Sequence, residues 1–247
     1  MNDIFDIDFG IEKETSSIIK VIGVGGGGGN AVNQMYKLGI HNVDFVICNT
    51  DSQALKNSPI TNRIQLGKTL TSGLGAGNNP QRGREAAIED ITEIEEILEN
   101  NTKMVFVTAG MGGGTGTGAA PVIAKAAKDR GILTIGVVSV PFQDEGPTRI
   151  NQAIEGIKLL QENVDSVLVI NNERLHEMYQ DLTMSEAFGK ADEVLATATK
   201  GIAEIITVHG YINVDFEDVR TVMQNSGVAL MGSATAEGEN RATEAIK

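Results

Sequence analysis

Two glycine-rich stretches constrain this chain more than any other feature: Gly23-Val24-Gly25-Gly26-Gly27-Gly28-Gly29-Asn30 and Gly110-Met111-Gly112-Gly113-Gly114-Thr115-Gly116-Thr117-Gly118. Each follows an apolar run and opens a helical pattern. Glycine lets the backbone approach a ligand closely, and a helix start offers unpaired N–H groups at the positive end of its dipole. That combination can hold phosphate without a lysine. One glycine turn already suffices for a pyrophosphate, so two in one chain point to a ligand with several phosphates. Alone, the G-x-G-x-x-G of Gly23, Gly25 and Gly28 fits a dinucleotide-binding oxidoreductase equally well.

The rest of the chain supplies the frame for these loops. Apolar runs at Ile18 to Val24, Val43 to Cys48, Met104 to Thr108, Ile132 to Val140 and Val164 to Ile170 alternate with helical patterns and read as buried parallel strands. Asn79-Pro80 caps a helix whose Ala87, Ile91, Ile94 and Leu98 recur at helical spacing, and Pro147 opens another with Ile150, Ile154 and Ile157. The expectation is an α/β fold with a doubly wound, mostly parallel sheet of Rossmann type, whose ligand edge is the carboxyl end of the strands. Of 29 glycines, twelve lie in the two loops, six in each, and both loops fall on that edge. A third glycine-rich stretch, Gly73 to Asn79 including Gly77, supports them.

From Thr183 the pattern becomes one long core helix. Thr183-x-x-Glu186 forms a capping box, and Phe188, Ala191, Leu195, Ala198, Ile202 and Ile205 form an apolar stripe. After His209-Gly210 about 37 residues remain, fewer than the roughly 40 an independent domain needs. The expected organisation is a tail over 1–17, a nucleotide-binding domain over 18–182, a central helix over 183–207, and over 208–247 a polar loop with the start of a truncated second domain.

Composition narrows the partners. The chain carries 20 Lys and Arg against 33 Asp and Glu, a net charge of -13 spread along its length, which disfavours nucleic acid. Its single cysteine, Cys48, lies within an apolar run and reads as a buried thiol, as expected in a reducing cytoplasm. The first eight residues lack both basic groups and a continuous apolar run, so they read neither as a signal peptide nor as an anchor.

Side chains near the loops suggest chemistry. Gly67-Lys68-Thr69 resembles the end of a Walker A loop, but Asn62 stands at its first glycine position. Thr115 and Thr117 place hydroxyls at a helix start, where they can bond phosphate or cap the helix. Arg149 could offset phosphate charge or be a solvated helix residue. Asp51 follows the first loop at the distance where a dinucleotide enzyme grips a ribose. Phe188 and Asp192 lie four apart on one helix face, so a base could stack on the ring while the carboxylate meets its edge. A carboxylate accepts from both N1–H and the exocyclic amine of guanine and would face an acceptor at N1 of adenine. By pattern alone, Phe188 belongs to the core stripe. Asn213-Val214-Asp215-Phe216-Glu217-Asp218 gathers acids that either complement a helix dipole or orient a water for attack on a phosphoryl group. His41, His176 and His209 are scattered without ligand spacing, so no protein metal site is expected.

With these residues in view, the chain resembles the tubulin/FtsZ family of GTPases over nearly everything after residue 17. Gly112-Gly113-Gly114-Thr115-Gly116-Thr117-Gly118 is similar to the family signature, and Asn49-Thr50-Asp51, Gly73 to Gly77, Pro141-Phe142 with Glu145-Gly146, and Asn213-Val214-Asp215-Phe216 agree with it. The resemblance implies GTP and GDP as ligands, with Mg2+ and K+ as accompanying cations. It implies contacts to phosphates and sugar from Gly26, Gly27, Gly28, Gly29, Asn30, Gly77, Gly113, Gly114, Thr115, Gly116 and Thr117. Glu145 and Arg149 would lie by the ribose and phosphates, and Asn30, Asn172, Phe188 and Asp192 around the guanine. Asn213, Asp215 and Asp218 would enter the next subunit's site and complete catalysis there, in head-to-tail filaments of a cytoplasmic division ring. Adaptor and regulatory proteins would be met through regions missing here, without membrane insertion. Departures are Pro147 and Thr148 where the family usually has basic residues, and Asn171 where it often has proline. The rival expectations are a nicotinamide-dependent oxidoreductase and a tubulin-like structural protein that binds GTP without hydrolysing it.

Overall fold

The computed structural model describes residues 17–40, 42–99, 101–178, 183–207, 215–231 and 236–246. Strand β1 (Ile19–Val24) leads into α1 (Gly25–Lys37), β2 (Asp44–Asn49) into α2 (Ser52–Lys56), and β3 (Asn62–Gln65) into α3 (Lys68–Thr71), α4 (Pro80–Glu89) and α5 (Ile91–Glu99). Next come β4 (Met104–Gly110) and α6 (Thr115–Lys128), then β5 (Leu133–Val140) and α7 (Pro147–Gln161). Strand β6 (Ser166–Asn171) precedes α8 (Asn172–Met178), α9 (Met184–Thr207) and α10 (Phe216–Met223), followed by β7 (Gly227–Val228) and α11 (Arg241–Ile246).

All the strands run parallel in one sheet of order β3-β2-β1-β4-β5-β6-β7. Both faces are covered, which explains why the central strands read as continuous apolar runs. On one face Ala86 and Ala87 of α4, Leu98 of α5, Ala120 and Ala124 of α6 and Leu160 of α7 join Ile22, Val105 and Val107 of the sheet. The other face packs Val32 and Met35 of α1 and Leu195 and Ala203 of α9 against Val21, Phe106 and Ile135. Strand order reverses between β1 and β4, which are neighbours in register from Ile19↔Met104 to Val24↔Ala109. Such a switch point leaves a crevice at the carboxyl edge. Both glycine stretches begin there.

Several local expectations change in three dimensions. The helix after Asn79 is two helices, broken at Asp90, because the Asp90 carboxylate turns aside to accept from the Gly67 and Lys68 amides at the start of α3. In α7 the buried line is Ala153, Gly156 and Leu160, and Ile154 is exposed. The capping box of α9 forms, with Thr183 N and Oγ1 both donating to Glu186 Oε2. Its stripe is buried at Ala191, Leu195 and Ala198 but emerges at both ends, Phe188 being 43% exposed and Ile205 51%.

Candidate functional site

A cavity of about 320 Å³ opens at the switch point, lined by Gly26, Gly27 and Asn30 of α1, Gly110 to Gly116 save Gly112, Ser139 of β5, Pro141 and Glu145 of the β5–α7 connection, and Arg149 of α7. Asn172, Phe188, Ala191 and Asp192 close its far end. The glycines explain why backbone can form the walls. Helix α1 begins at Gly25 immediately after β1, with no side chain capping its first turn and no acid within it. Its N–H groups are therefore available to an anion. Gly26 and Gly113 have open space where a Cβ would stand, whereas Gly27 faces the Gly110 backbone at 3.1 Å. Gly25 takes φ +73 and lies with its missing Cβ 2.8 Å from Gly116 N, so the starts of α1 and α6 abut. No side chain fits between them.

Not every glycine or threonine of the motifs faces this cavity. Gly28 is buried with its α-carbon against the Thr108 carbonyl, where a Cβ would collide. Gly29 borders a separate recess beyond Asn30, and exposed Gly77 stands outside the cavity lining. Thr117 is 3% exposed and its Oγ1 accepts from Gly112 N at 2.9 Å, which holds the second loop in shape. Thr115 does line the cavity, and its Oγ1 meets Thr50 Oγ1 at 2.7 Å.

The opposite end of the cavity is built for a planar ligand with donors. Phe188 stands edge-on to Phe142, ring centroids 5.0 Å apart at 89°, which presents the ring at the cavity instead of in the core. Asn172 is 3% exposed and its Oδ1 is buried without a hydrogen-bond partner among the described residues. Buried acceptors left unpaired are costly and rare. Burial also pushes the Asp192 carboxyl up to about 6. Two acceptors thus await donors in one wall. Between the ends, Arg149 donates to Glu145 Oε2 at 2.6 Å, and Phe142 N donates to Glu145 Oε1 at 3.0 Å, so Glu145 positions both.

Asp215 and Asp218 lie elsewhere. They form a reciprocal capping box at the start of α10, Asp218 N donating to Asp215 Oδ1 and Asp215 N to Asp218 Oδ2. Arg220 of the same helix donates to the Gly131 carbonyl just before β5, and Gly227 pairs with the first residue of β6. Those contacts fix α10 at the amino edge of the sheet, opposite the glycine loops. Helix α9 makes the transit: its 24 residues, Met184–Thr207, span about 36 Å, and Phe188 near its start lines the cavity. Asn213 lies outside the described residues.

The structure also assigns plainer roles to other candidates. Asp51 accepts from Gln53 N and Ala54 N as the cap of α2. Lys68 is paired with Glu93 at 2.6 Å and Asp90 at 3.8 Å. Cys48 is fully buried, and burial raises its thiol far above the ordinary range. Sequence reasoning passed over Met111, Ser139 and Ala191 as lining residues. Ser139 could be found only from the register, which sets it beside Gly110 across β4 and β5. Among the described residues, no three His, Cys, Asp or Glu side chains converge as a metal site, and no helix is long and apolar enough to cross a membrane.

Comparison with known proteins identifies the family and the fold. The cell division protein FtsZ of Azotobacter vinelandii is 57% identical over 233 residues, covering 94% of this chain and 59% of its own length. The chain thus spans under two thirds of the curated relatives it matches. An FtsZ dimer from M. jannaschii, described as empty, superposes with a TM-score of 0.89 at 45% identity, covering 95% of this chain and 68% of that one. CetZ2 from Haloferax volcanii, solved as a GTPγS-bound protofilament, gives 0.79 at 28% identity, covering 92% and 69%. Residues 18–180 match the GTPase domain of the tubulin/FtsZ family, and the chain belongs to that family.

Proposed function

We propose that this cavity binds GTP and GDP, and that the complete protein hydrolyses GTP to GDP and phosphate as it polymerises head-to-tail in a cytoplasmic division ring. One observation carries the binding reading: a single cavity joins two abutting helix starts at one end to two donor-seeking acceptors, Asn172 Oδ1 and the Asp192 carboxyl, at the other. Helix starts favour phosphate, and Asp192 favours a base that presents two adjacent donors. Guanine does so. Phe188 offers the stacking surface, Glu145 and Arg149 flank the ribose and α-phosphate, and Asn30 reaches toward the sugar. Mg2+, and K+ with it, would be held by the phosphates and would neutralise charge developing on the leaving oxygens. Isothermal titration with GTP, GDP, ATP and NADH tests the reading. Submillimolar binding of the guanine nucleotides alone is expected, and NADH binding in their place would return the chain to the oxidoreductase reading.

Catalysis in this reading is shared between molecules. The cavity offers acceptors for a base and donors for phosphates, but Glu145, the carboxylate that lines it besides Asp192, is engaged by Arg149 and Phe142. Asp215 and Asp218 belong to the opposite edge, so head-to-tail stacking would bring them to the next molecule's phosphates, and the family resemblance adds Asn213 to the same role. Contact between two different surfaces need not close, and so gives filaments. In the complete protein, Asp218→Ala should bind GTP and lose turnover, and mixing it with a glycine-loop variant should restore some activity. Full phosphate release by Asp218→Ala alone would refute shared catalysis.

A further inference from the structure

Thr50 lies outside the cavity lining, is wholly buried, and sits at the crossing of three loops. Its hydroxyl meets Thr115 Oγ1 at 2.7 Å. Its carbonyl accepts from Gly75 N at 3.2 Å and from Thr71 Oγ1 at 3.3 Å. The neighbouring residues repeat the link, since Asp51 bridges Leu74 and Ser52 N donates to the Gly73 carbonyl. The third glycine stretch is thereby tied to the first residue of α6.

Sheet order says which part of a nucleotide this junction meets. Asn172 follows β6 and Thr50 follows β2, four strand spacings away, or about 19 Å along the carboxyl edge. A nucleotide with its base between Asn172, Phe188 and Asp192 therefore carries its phosphates toward β2, and the last of them comes nearest Thr115. A hydroxyl has one proton and two lone pairs. If Thr115 donates to Thr50, it offers only lone pairs to the cavity and repels an anion. If Thr50 donates, the Thr115 proton is free to point at a phosphate oxygen.

We propose, on the GTP reading above, that Thr50 is a positioning residue for the terminal phosphate: its hydroxyl donates to Thr115 Oγ1, aims the Thr115 proton at that phosphate, and so couples its presence to the 71–75 segment. GDP lacks the group that selects this arrangement. The contact therefore discriminates between the two nucleotides.

Calorimetric titration of GTP and GDP into the 247-residue chain and its variants tests this. Thr50→Val deletes the hydroxyl at nearly constant volume and should weaken GTP about three- to tenfold while changing GDP less than twofold. Thr50→Ser should keep the wild-type ratio. Thr50→Ala, which deletes the same hydroxyl without adding a methyl in its place, should repeat the selective loss if Thr50→Val melts early. In a Thr115→Val background, Thr50→Val should cost GTP binding nothing more, because the two act as one unit. Equal weakening of GTP and GDP, additive losses in the double variant, or no change would overturn the proposal. A wild-type chain that takes up neither guanine nucleotide would overturn the GTP reading itself, and is seen before any variant is compared.

Discussion

The first glycine stretch becomes helix at Gly25, directly after β1, whereas the second runs on as a loop through Met111 to Gly114 before α6 begins at Thr115. Their compositions are alike, yet each divides its glycines between two tasks. Gly28 lets α1 rest on the Thr108 carbonyl, and Gly116 and Gly118 let α6 approach Gly110 and the Pro80–Arg84 backbone of α4. By contrast, Gly26 and Gly113 have open space before them and face the cavity. A glycine-rich motif is thus partly a packing device that brings two helix starts together and partly a surface that lets a ligand reach the amides. Substitution separates the two.

The largest effects should come from the packing glycines. Gly118→Ala drives a methyl into the Pro80 carbonyl and Arg84 amide, and Gly28→Ala drives one into the Thr108 carbonyl. Each should destabilise the chain by about 3 kcal/mol, read as a fall in the urea midpoint, since neither backbone can yield without moving a helix. Wild-type midpoints would mean that the close helix approach is not needed.

The base end of the cavity extends the comparison to side chains. Burial raises the folded Asp192 carboxyl from its ordinary 3.8 to about 6. Its burial therefore costs nothing below the unfolded value, and the penalty on the nucleotide-free fold grows as pH rises from about 3.8 to about 6 and is fully present above that. Asp192→Asn should consequently be more stable than wild type by about 1–2 kcal/mol at pH 7.5, with the difference vanishing near pH 3.5. Guanine binding has the opposite sign, because accepting two donors requires the carboxylate. Affinity for GDP should fall by up to about tenfold per pH unit below 6, and Asp192→Asn should lose that dependence. A pH-independent affinity in the wild-type chain would remove Asp192 from the base site.

Smallest in stability, and most telling, is Gly26→Ala. An open helical glycine gains from alanine, so this variant should keep or raise stability, by at most about 1 kcal/mol. The same methyl should obstruct the phosphates and weaken GTP about tenfold. A loss of stability here would place Gly26 with the packing glycines.

Other parts of the fold show why legibility was uneven. The central strands were readable because both faces are buried and their residues are apolar, as in Met104 to Ala109. Strand β3, Asn-Arg-Ile-Gln, was not, for an edge strand buries little and only Ile64 carries the signal. Strand β7, Gly227–Val228, has two residues and exposed side chains. It is held by backbone pairing to β6 and by Asp165, whose carboxylate accepts from both Thr134 N and Asn225 N. The break at Asp90 was invisible because a distant amide, Gly67 N, competes for that carboxylate.

Phe188 and Asp192 mark the limit of periodicity. Their spacing announced a shared helix face, but apolar pattern cannot say that this face overruns the core at its first turns and meets a cavity. What the sequence determined by itself was local: glycine where backbones must touch, caps where helices start, and apolar runs where strands are covered. Only the tertiary structure decided that β1 and β4 are neighbours, which sets two helix starts against each other. It likewise decided that α9 is long enough to carry the chain to the opposite edge before Asp215 and Asp218. Strand order and helix placement depend on long-range packing, which residue spacing along a chain does not encode.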